Sequence, residues 1–165
     1  MTQRRRPTAP RIDELVFADS AREVLTDTMI RFNAAAEKAA AVGFAQGLRD
    51  PKALDKAATP ELAKLGLPAT LRKLAVERAA AELRTSRGKP KFGKFQTVPY
   101  GTGVQWPAPT QAKLWTARGH RNVAIEPDPS YGWVRSPLEG RPVSLQRRGD
   151  TFYLVADDLD DEDDE

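Results

Sequence analysis

The sequence contains no cysteine and only one histidine, His120, among its 165 residues. Without cysteine there can be no disulfide, thiolate zinc site, iron–sulfur cluster or cysteine nucleophile. A single imidazole also excludes HExxH and every other site that needs two histidines. No apolar run approaches the length of a membrane span, and no apolar stretch follows the first arginines, as a secretory signal would require. We therefore expect a soluble cytoplasmic protein that does not bind membranes.

Other catalytic arrangements are also missing. No glycine-rich loop leads into Lys-Ser or Lys-Thr, so there is no P-loop. His120 lies between Arg118-Gly119 and Arg121, and this cationic setting favours an exposed turn histidine over a general base. The carboxylates are either scattered or gathered in a C-terminal run that has no scaffold to fix a metal ion. We predict a non-catalytic protein without a cofactor or metal, and an enzyme built around His120 is the least favoured alternative.

The charge is divided sharply along the chain. The net charge is +3, but residues 157–165 hold eight acidic side chains and no basic one. The rest of the chain sets 26 basic residues against 15 acidic ones, a net charge of +11. Cationic side chains placed on phosphates release condensed counterions, so we expect this body to bind nucleic acid. We predict residues 157–165 to be a disordered acidic tail, which either competes for the basic face or only aids solubility.

The first part of the chain predicts a strand followed by a long helix. Residues 1–10 read as a disordered basic arm, and residues 11–18 read as a short strand. Ser20 and Glu23 have the spacing of a capping box, which indicates a helix start. The helix that follows is predicted to reach about Gly43 or Gly47, with one apolar face made by Leu25, Met29, Phe32, Ala36 and Ala40.

Two more helical segments are predicted before residue 88. Residues 48–58 are less regular, and Thr59-Pro60 has the pattern of an N-cap followed by proline at the start of a short turn. Leu67-Pro68 then opens a helix over residues 69–86. We therefore predict that residues 19–88 form a small helical bundle.

From Gly88 onward the composition is typical of an antiparallel β-structure. Turn residues separate short apolar runs, and Arg148-Gly149-Asp150 indicates a hairpin. The predicted fold class is α+β: a small antiparallel β-barrel over residues 89–156, to which the strand at 11–18 returns, with the helices inserted between them. The predicted later strands are 95–100, 113–116, 122–125, 131–135, 143–147 and 151–156.

Basic and aromatic residues alternate directly after the helices. Lys89, Lys91 and Lys94 interleave with Phe92 and Phe95, a pattern in which lysines contact phosphates and rings stack on bases. In the alternative interpretation the two rings belong to the core and only the lysines reach phosphate. Further candidate nucleic-acid-binding residues are the arginines near Trp115 and at the predicted hairpin, namely Arg118, Arg121, Arg147 and Arg148.

The order of these segments resembles the N-terminal half of TnpB-like transposon proteins and related type V CRISPR effectors. In that family a helical recognition insertion splits a wedge β-barrel. Each motif is short, so their order and spacing carry the resemblance, which spans roughly residues 11–156. The motifs are Phe32-Asn33, Leu67-Pro68, Lys89-Pro90-Lys91-Phe92, Trp115-Thr116-Ala117-Arg118-Gly119 followed by Val123 and Ile125, and Gly149-Asp150-Thr151-Phe152-Tyr153-Leu154.

The resemblance implies RNA-guided DNA binding, with guide-type structured RNA and duplex DNA as partners. It assigns Arg72 and Lys73 to the recognition lobe. The residues that it assigns to phosphate contacts in the wedge are Lys89, Lys91, Lys94, Arg118 and Arg121. The family's RuvC-like nuclease is missing from this sequence, as is most of its basic and aromatic first strand.

We therefore expect a truncated, split or retained binding module of a mobile element, with a separately encoded nuclease half as a further partner. DNA binding would associate it with the bacterial nucleoid. The alternative function is a protein–protein adaptor whose acidic tail mimics nucleic acid.

Overall fold

A computed structural model describes residues 12–127 and 133–158. The basic arm, the start of the predicted strand at 131–135 and the acidic tail beyond Asp158 lie outside the described residues. The fold class is α+β, as predicted, with one strand, three helices and six further strands in chain order. The elements are β1 (Glu14–Val16), α1 (Arg22–Gln46), α2 (Pro51–Leu62), α3 (Ala69–Thr85), β2 (Val98–Gly101), β3 (Gln105–Ala108), β4 (Gln111–Thr116), β5 (Gly119–Ala124), β6 (Val143–Arg148) and β7 (Thr151–Ala156).

The strands form two antiparallel sheets, in the orders β1-β7-β6-β2 and β3-β4-β5. An isolated bridge between Phe17 and Ile125 joins the sheets, supported by the bond from the Ala18 amide to the Ala124 carbonyl at 2.9 Å. The strand after the basic arm therefore does return to the later strands. Arg148 pairs with Thr151 across the predicted hairpin turn.

The prediction of a closed barrel is wrong for the part of the chain that the structure describes. The two outer strands that would have to pair, β2 and β3, do not pair with each other. Each contains a proline, Pro99 or Pro107, which has no amide hydrogen to donate to a neighbouring strand. Each also has an irregular register with its one partner. The β3 strand itself was not predicted, and Trp133–Arg135 is not a strand.

Two predictions about the helices are corrected. Ser20 lies in a 3₁₀ turn and makes no capping bond, so the predicted capping box is not formed. Residues 51–62 form one continuous helix in place of the irregular segment and short turn. Asp50 is its N-cap, accepting the Ala53 amide at 3.1 Å, and Pro51 takes the first helical position. The pattern of an N-cap followed by proline therefore begins this helix at Asp50-Pro51, and not at Thr59-Pro60 as predicted.

Helix α1 lies at the centre of the molecule, because it packs against both other helices and reaches both sheets. Both α1 and α3 carry small, fully buried side chains, and Gly43 of α1 lies close to Leu83 of α3. Thr28 joins α1 to the β4–β5 turn, where its hydroxyl accepts the Ala117 amide at 2.8 Å. The fully buried alanines of the two helices are Ala35, Ala36, Ala39, Ala40, Ala75, Ala79 and Ala80.

Arg141 ties the two ends of the described chain together. Its guanidinium donates to the Asp13 carboxylate at 2.6 Å, to the Asp158 carboxylate at 2.9 Å and to the Ile12 carbonyl at 2.8 Å. The hydrogen bond with Asp158 is the main cause of a raised Arg141 pKa. Ser144 donates to the neighbouring Asp157 at 2.6 Å. The prediction that the acidic run is disordered from residue 157 is therefore wrong for Asp157 and Asp158.

We expect the substitution Gly43→Ala to destabilise the protein by about 1–3 kcal/mol. A Cβ on Gly43 would lie 2.5 Å from Leu83 Cδ1 and 3.0 Å from the Leu48 carbonyl oxygen. This crowding opposes the better helix propensity of alanine. Urea unfolding followed by circular dichroism measures the change. Gly88→Ala is the control, because its Cβ would meet no atom within 4 Å; equal stability of the two variants would contradict the close packing of α1 on α3.

We expect Arg141→Met to cost about 3 kcal/mol, since it leaves carboxylates and carbonyls without their cation in a site where the arginine side chain is 17% exposed. Arg148→Met provides the control, because Arg148 pairs with Glu14 at an exposed position and such pairs contribute little. Unfolding midpoints in urea compare the two variants. A midpoint for Arg141→Met that equals that of the control would show that Arg141 does not hold the chain ends.

Candidate nucleic-acid interface

A cleft of about 420 Å³ lies between α1 and the segment 89–94; we call it the α1–loop cleft. The α1 residues that line the cleft recur every three or four positions, so they lie on one face of the helix. Three lysines line it, Lys38 from the helix and Lys89 and Lys94 from the loop. The remaining lining residues are Ile30, Asn33, Ala34, Glu37, Ala41 and Phe92.

Two side chains of α1 fix the backbone of the loop. Asn33 is buried, and its Nδ2 donates to the Lys94 carbonyl at 3.1 Å and the Gln96 carbonyl at 2.9 Å. Glu37 Oε1 accepts the Phe92 amide at 3.0 Å. The loop therefore carries its lysines on a backbone that is attached at several points to a rigid helix.

The aromatic rings of the loop face the protein. Phe92 is only 8% exposed, and the guanidinium of Arg78 lies 5.7 Å from its ring centroid. Burial lowers the Arg78 pKa, and its guanidinium donates to the Thr97 carbonyl. The ring of Phe95 is covered by Arg147 at 3.8 Å. These contacts favour the interpretation in which both rings pack against the protein and the lysines alone face outward.

The lysines of the segment are free of carboxylate partners. Lys89, Lys91 and Lys94 are exposed, and none makes an ion pair with a described acidic residue. Lys38 shares both properties and was not singled out from the sequence. The sequence feature that could have indicated Lys38 is its position one turn after Ala34, on the helix face that also carries Asn33. Four unpaired ammonium groups are thus carried by one helix face and the adjoining loop.

Most of the arginines predicted to bind nucleic acid already form ion pairs or hydrogen bonds with other groups of the protein. Arg118 lies 3.5 Å from the Glu23 carboxylate, and Arg121 donates to the Arg118 carbonyl at 2.9 Å. Arg147 lies 3.6 Å from Asp150 in addition to covering Phe95. Arg148 donates to Glu14 at 2.9 Å, and this hydrogen bond is the main cause of its raised pKa. The structure does not bring these arginines to the α1–loop cleft.

The two predicted residues on α3 also lie elsewhere. Lys73 lines a separate cleft of about 320 Å³ between α2 and α3, together with Lys52, Asp55 and Glu77. Two carboxylates there balance two ammonium groups. Arg72 is half-buried, and its Nε has no hydrogen-bond partner among the described residues. Neither residue joins the lysines of the loop.

His120 lies on β5 and not in an exposed turn, which corrects the sequence-based expectation. Its ring stacks on Trp115 with centroids 4.6 Å apart and planes 6° apart. The side chain is half-buried, and it makes no hydrogen bond or ion pair with a carboxylate among the described residues. Across residues 12–127 and 133–158, no group of three or more histidine or acidic side chains is arranged to hold a metal ion. No helix in these ranges is long and apolar enough to span a membrane.

Comparison with known proteins does not assign the chain to a family: no family model matches the sequence, and no curated protein matches it.

We expect Asn33→Ala to release the loop from α1. The change removes the donor of three hydrogen bonds to carbonyls, so the protein should lose about 1–3 kcal/mol of stability. The loop should also become less protected. Amide hydrogen exchange over residues 93–97 measures this protection, with the exposed Asn122→Ala on β5 as the control. Unchanged exchange in Asn33→Ala would contradict the attachment.

Proposed function

We propose that this protein is a non-catalytic nucleic-acid-binding module whose α1–loop cleft and adjoining loop hold a phosphate backbone. The observation that carries the proposal is the group of four unpaired lysines, Lys38, Lys89, Lys91 and Lys94. Other cations lie in ion pairs, as Arg31 does with Asp27 at 2.9 Å. The four lysines therefore carry charge that no ion pair with a described carboxylate compensates.

Physical chemistry favours a polyanion as the partner of this group. Ammonium groups held close together repel each other, and phosphates that lie between them relieve the repulsion. Each phosphate contact also releases condensed counterions, which makes the affinity fall steeply with salt. The attached loop adds preorganisation, because binding then orders fewer backbone groups.

The order of the elements gives a second, weaker support. A short strand, three helices and six further strands follow the arrangement that the resemblance to TnpB-like proteins and type V CRISPR effectors implies. On that basis we propose that the strands correspond to a wedge and the helices to a recognition insertion. The partners would then be a guide-type structured RNA and duplex DNA, with a separately encoded nuclease half.

The test is a binding titration with an RNA hairpin and a DNA duplex at several salt concentrations. We expect micromolar or tighter binding with a steep negative salt slope, and at least a tenfold loss of affinity in Lys89→Glu/Lys94→Glu. The salt slope of this variant should fall by about 2, one for each lost phosphate contact. Fluorescence anisotropy with labelled nucleic acids provides both quantities.

The matched control is Lys56→Glu/Lys64→Glu, which makes the same change of net charge on α2 and the turn after it. This variant should retain most of the affinity. If the control loses as much affinity as the loop variant, the binding depends on net charge and not on this site. If the unaltered protein binds neither the RNA hairpin nor the DNA duplex at low salt, the proposed function is wrong.

A further inference from the structure

The α1–loop cleft has a lining that a phosphate alone does not need. Ile30, Ala34 and Ala41 give the helix wall an apolar surface, while three lysines supply positive charge. The volume of about 420 Å³ lies within the range of small-molecule sites in proteins. A cleft that combines cations with an apolar wall suits a phosphorylated ligand that also carries a flat apolar body. A nucleotide has this chemistry.

Glu37 is the single carboxylate among the described residues that line the cleft, and it limits which ligands fit. Its Oε1 accepts the Phe92 amide, and its Oε2 has no partner among the described residues. A carboxylate repels phosphate, so its presence among the lysines is unfavourable for a site that holds only phosphate. As an acceptor, however, it favours a group that donates hydrogen bonds, and exocyclic amino groups of bases are such donors.

Asn33 adds a second acceptor in the same wall. Its Nδ2 faces three carbonyl oxygens, so the orientation of the amide is determined. Its Oδ1 is buried and has no hydrogen-bond partner among the residues described. Buried acceptors without partners are uncommon in proteins, and an acceptor beside a cleft is satisfied when a donor enters it. Glu37 Oε2, carried by an exposed residue of the same wall, is the acceptor that a donor on the ligand can reach.

We propose that the α1–loop cleft holds one phosphorylated nucleoside whose base carries an exocyclic amino group. The base lies against the apolar wall with its amino group toward Glu37, and its phosphate lies among Lys38, Lys89 and Lys94. The ligand is either a unit of a single strand or a free nucleotide. In its strand form the inference rests on the proposed function, and it adds a base preference to it.

Cytosine and uracil are the sharpest pair of probes. They have nearly the same shape, but cytosine has an amino group where uracil has a carbonyl oxygen, which Glu37 would repel. We expect labelled oligocytidylate of eight units to bind the full chain about tenfold more tightly than oligouridylate of the same length. Anisotropy titrations measure the strands. Calorimetric titrations with CMP, UMP and ribose 5-phosphate measure the free ligands.

The decisive variant is Glu37→Gln. The glutamine retains an oxygen for the Phe92 amide and places an NH₂ group where Oε2 was, so it donates to uracil and no longer favours cytosine. We expect the preference for cytosine to disappear or reverse while the overall affinity does not fall. Glu126→Gln is the control, because it makes the same charge change at an exposed residue after β5 and should keep the preference. Unfolding midpoints establish that both variants are folded.

The outcomes separate this inference from the proposed function. A preference for cytosine that Glu37→Gln removes supports the inference. Tighter binding of CMP than of UMP identifies a free nucleotide as a ligand. A cytosine preference seen only with the oligonucleotides identifies a unit of a single strand as the ligand. Equal affinity for the two bases, or a preference that Glu37→Gln leaves unchanged, overturns the inference even if hairpin and duplex still bind. A CMP preference without any strand binding overturns the proposed function alone. If neither strands nor nucleotides bind, both are wrong.

Discussion

The hydrogen bonds of one buried amide decide how the two halves of the molecule meet. Asn33 sits on the apolar side of α1, where a polar group is costly unless it is paired, and its partners are the carbonyls of Lys94 and Gln96. These carbonyls come directly before β2. The amide therefore determines where the β-rich part of the chain begins on the helix, and the cleft exists because the loop is held at that position.

Arginine and lysine are used differently in this protein. The arginines that the structure shows in ion pairs, such as Arg141 and Arg148, act through a planar group that bonds to two carboxylate oxygens or to several acceptors at once. Lysines 38, 89, 91 and 94 remain at the surface without such partners. A basic composition alone does not distinguish cations that hold the fold from cations that face solvent. This division is the reason that the candidate site is smaller than the total charge suggests.

Periodicity was sufficient to predict α1, α3 and most strands, because each buries a regular set of apolar residues. The barrel was predicted wrongly, since closure depends on whether Pro99 and Pro107 can face a partner strand, and such pairing is not encoded in local pattern. The lysines of the loop were found because basic residues alternate with rings. Lys38 and Glu37 were missed, because on an isolated helix they resemble any solvated pair. Asn33 was quoted only as part of a motif, although its place on an apolar face already required a bonding partner.

The pairing of β1 with β7 joins residues that are separated by nearly the whole length of the described sequence. Leu15 and Phe17 are buried by this arrangement, but the strand that covers them is the last of the described strands to be synthesised. During synthesis the helices emerge early and can associate by local contacts, whereas β1 has no strand to pair with along its length until residues 151–156 appear. The nascent chain therefore carries an exposed apolar edge until β7 is synthesised, and a ribosome that stalls before β7 would leave a species prone to aggregate or to recruit a chaperone.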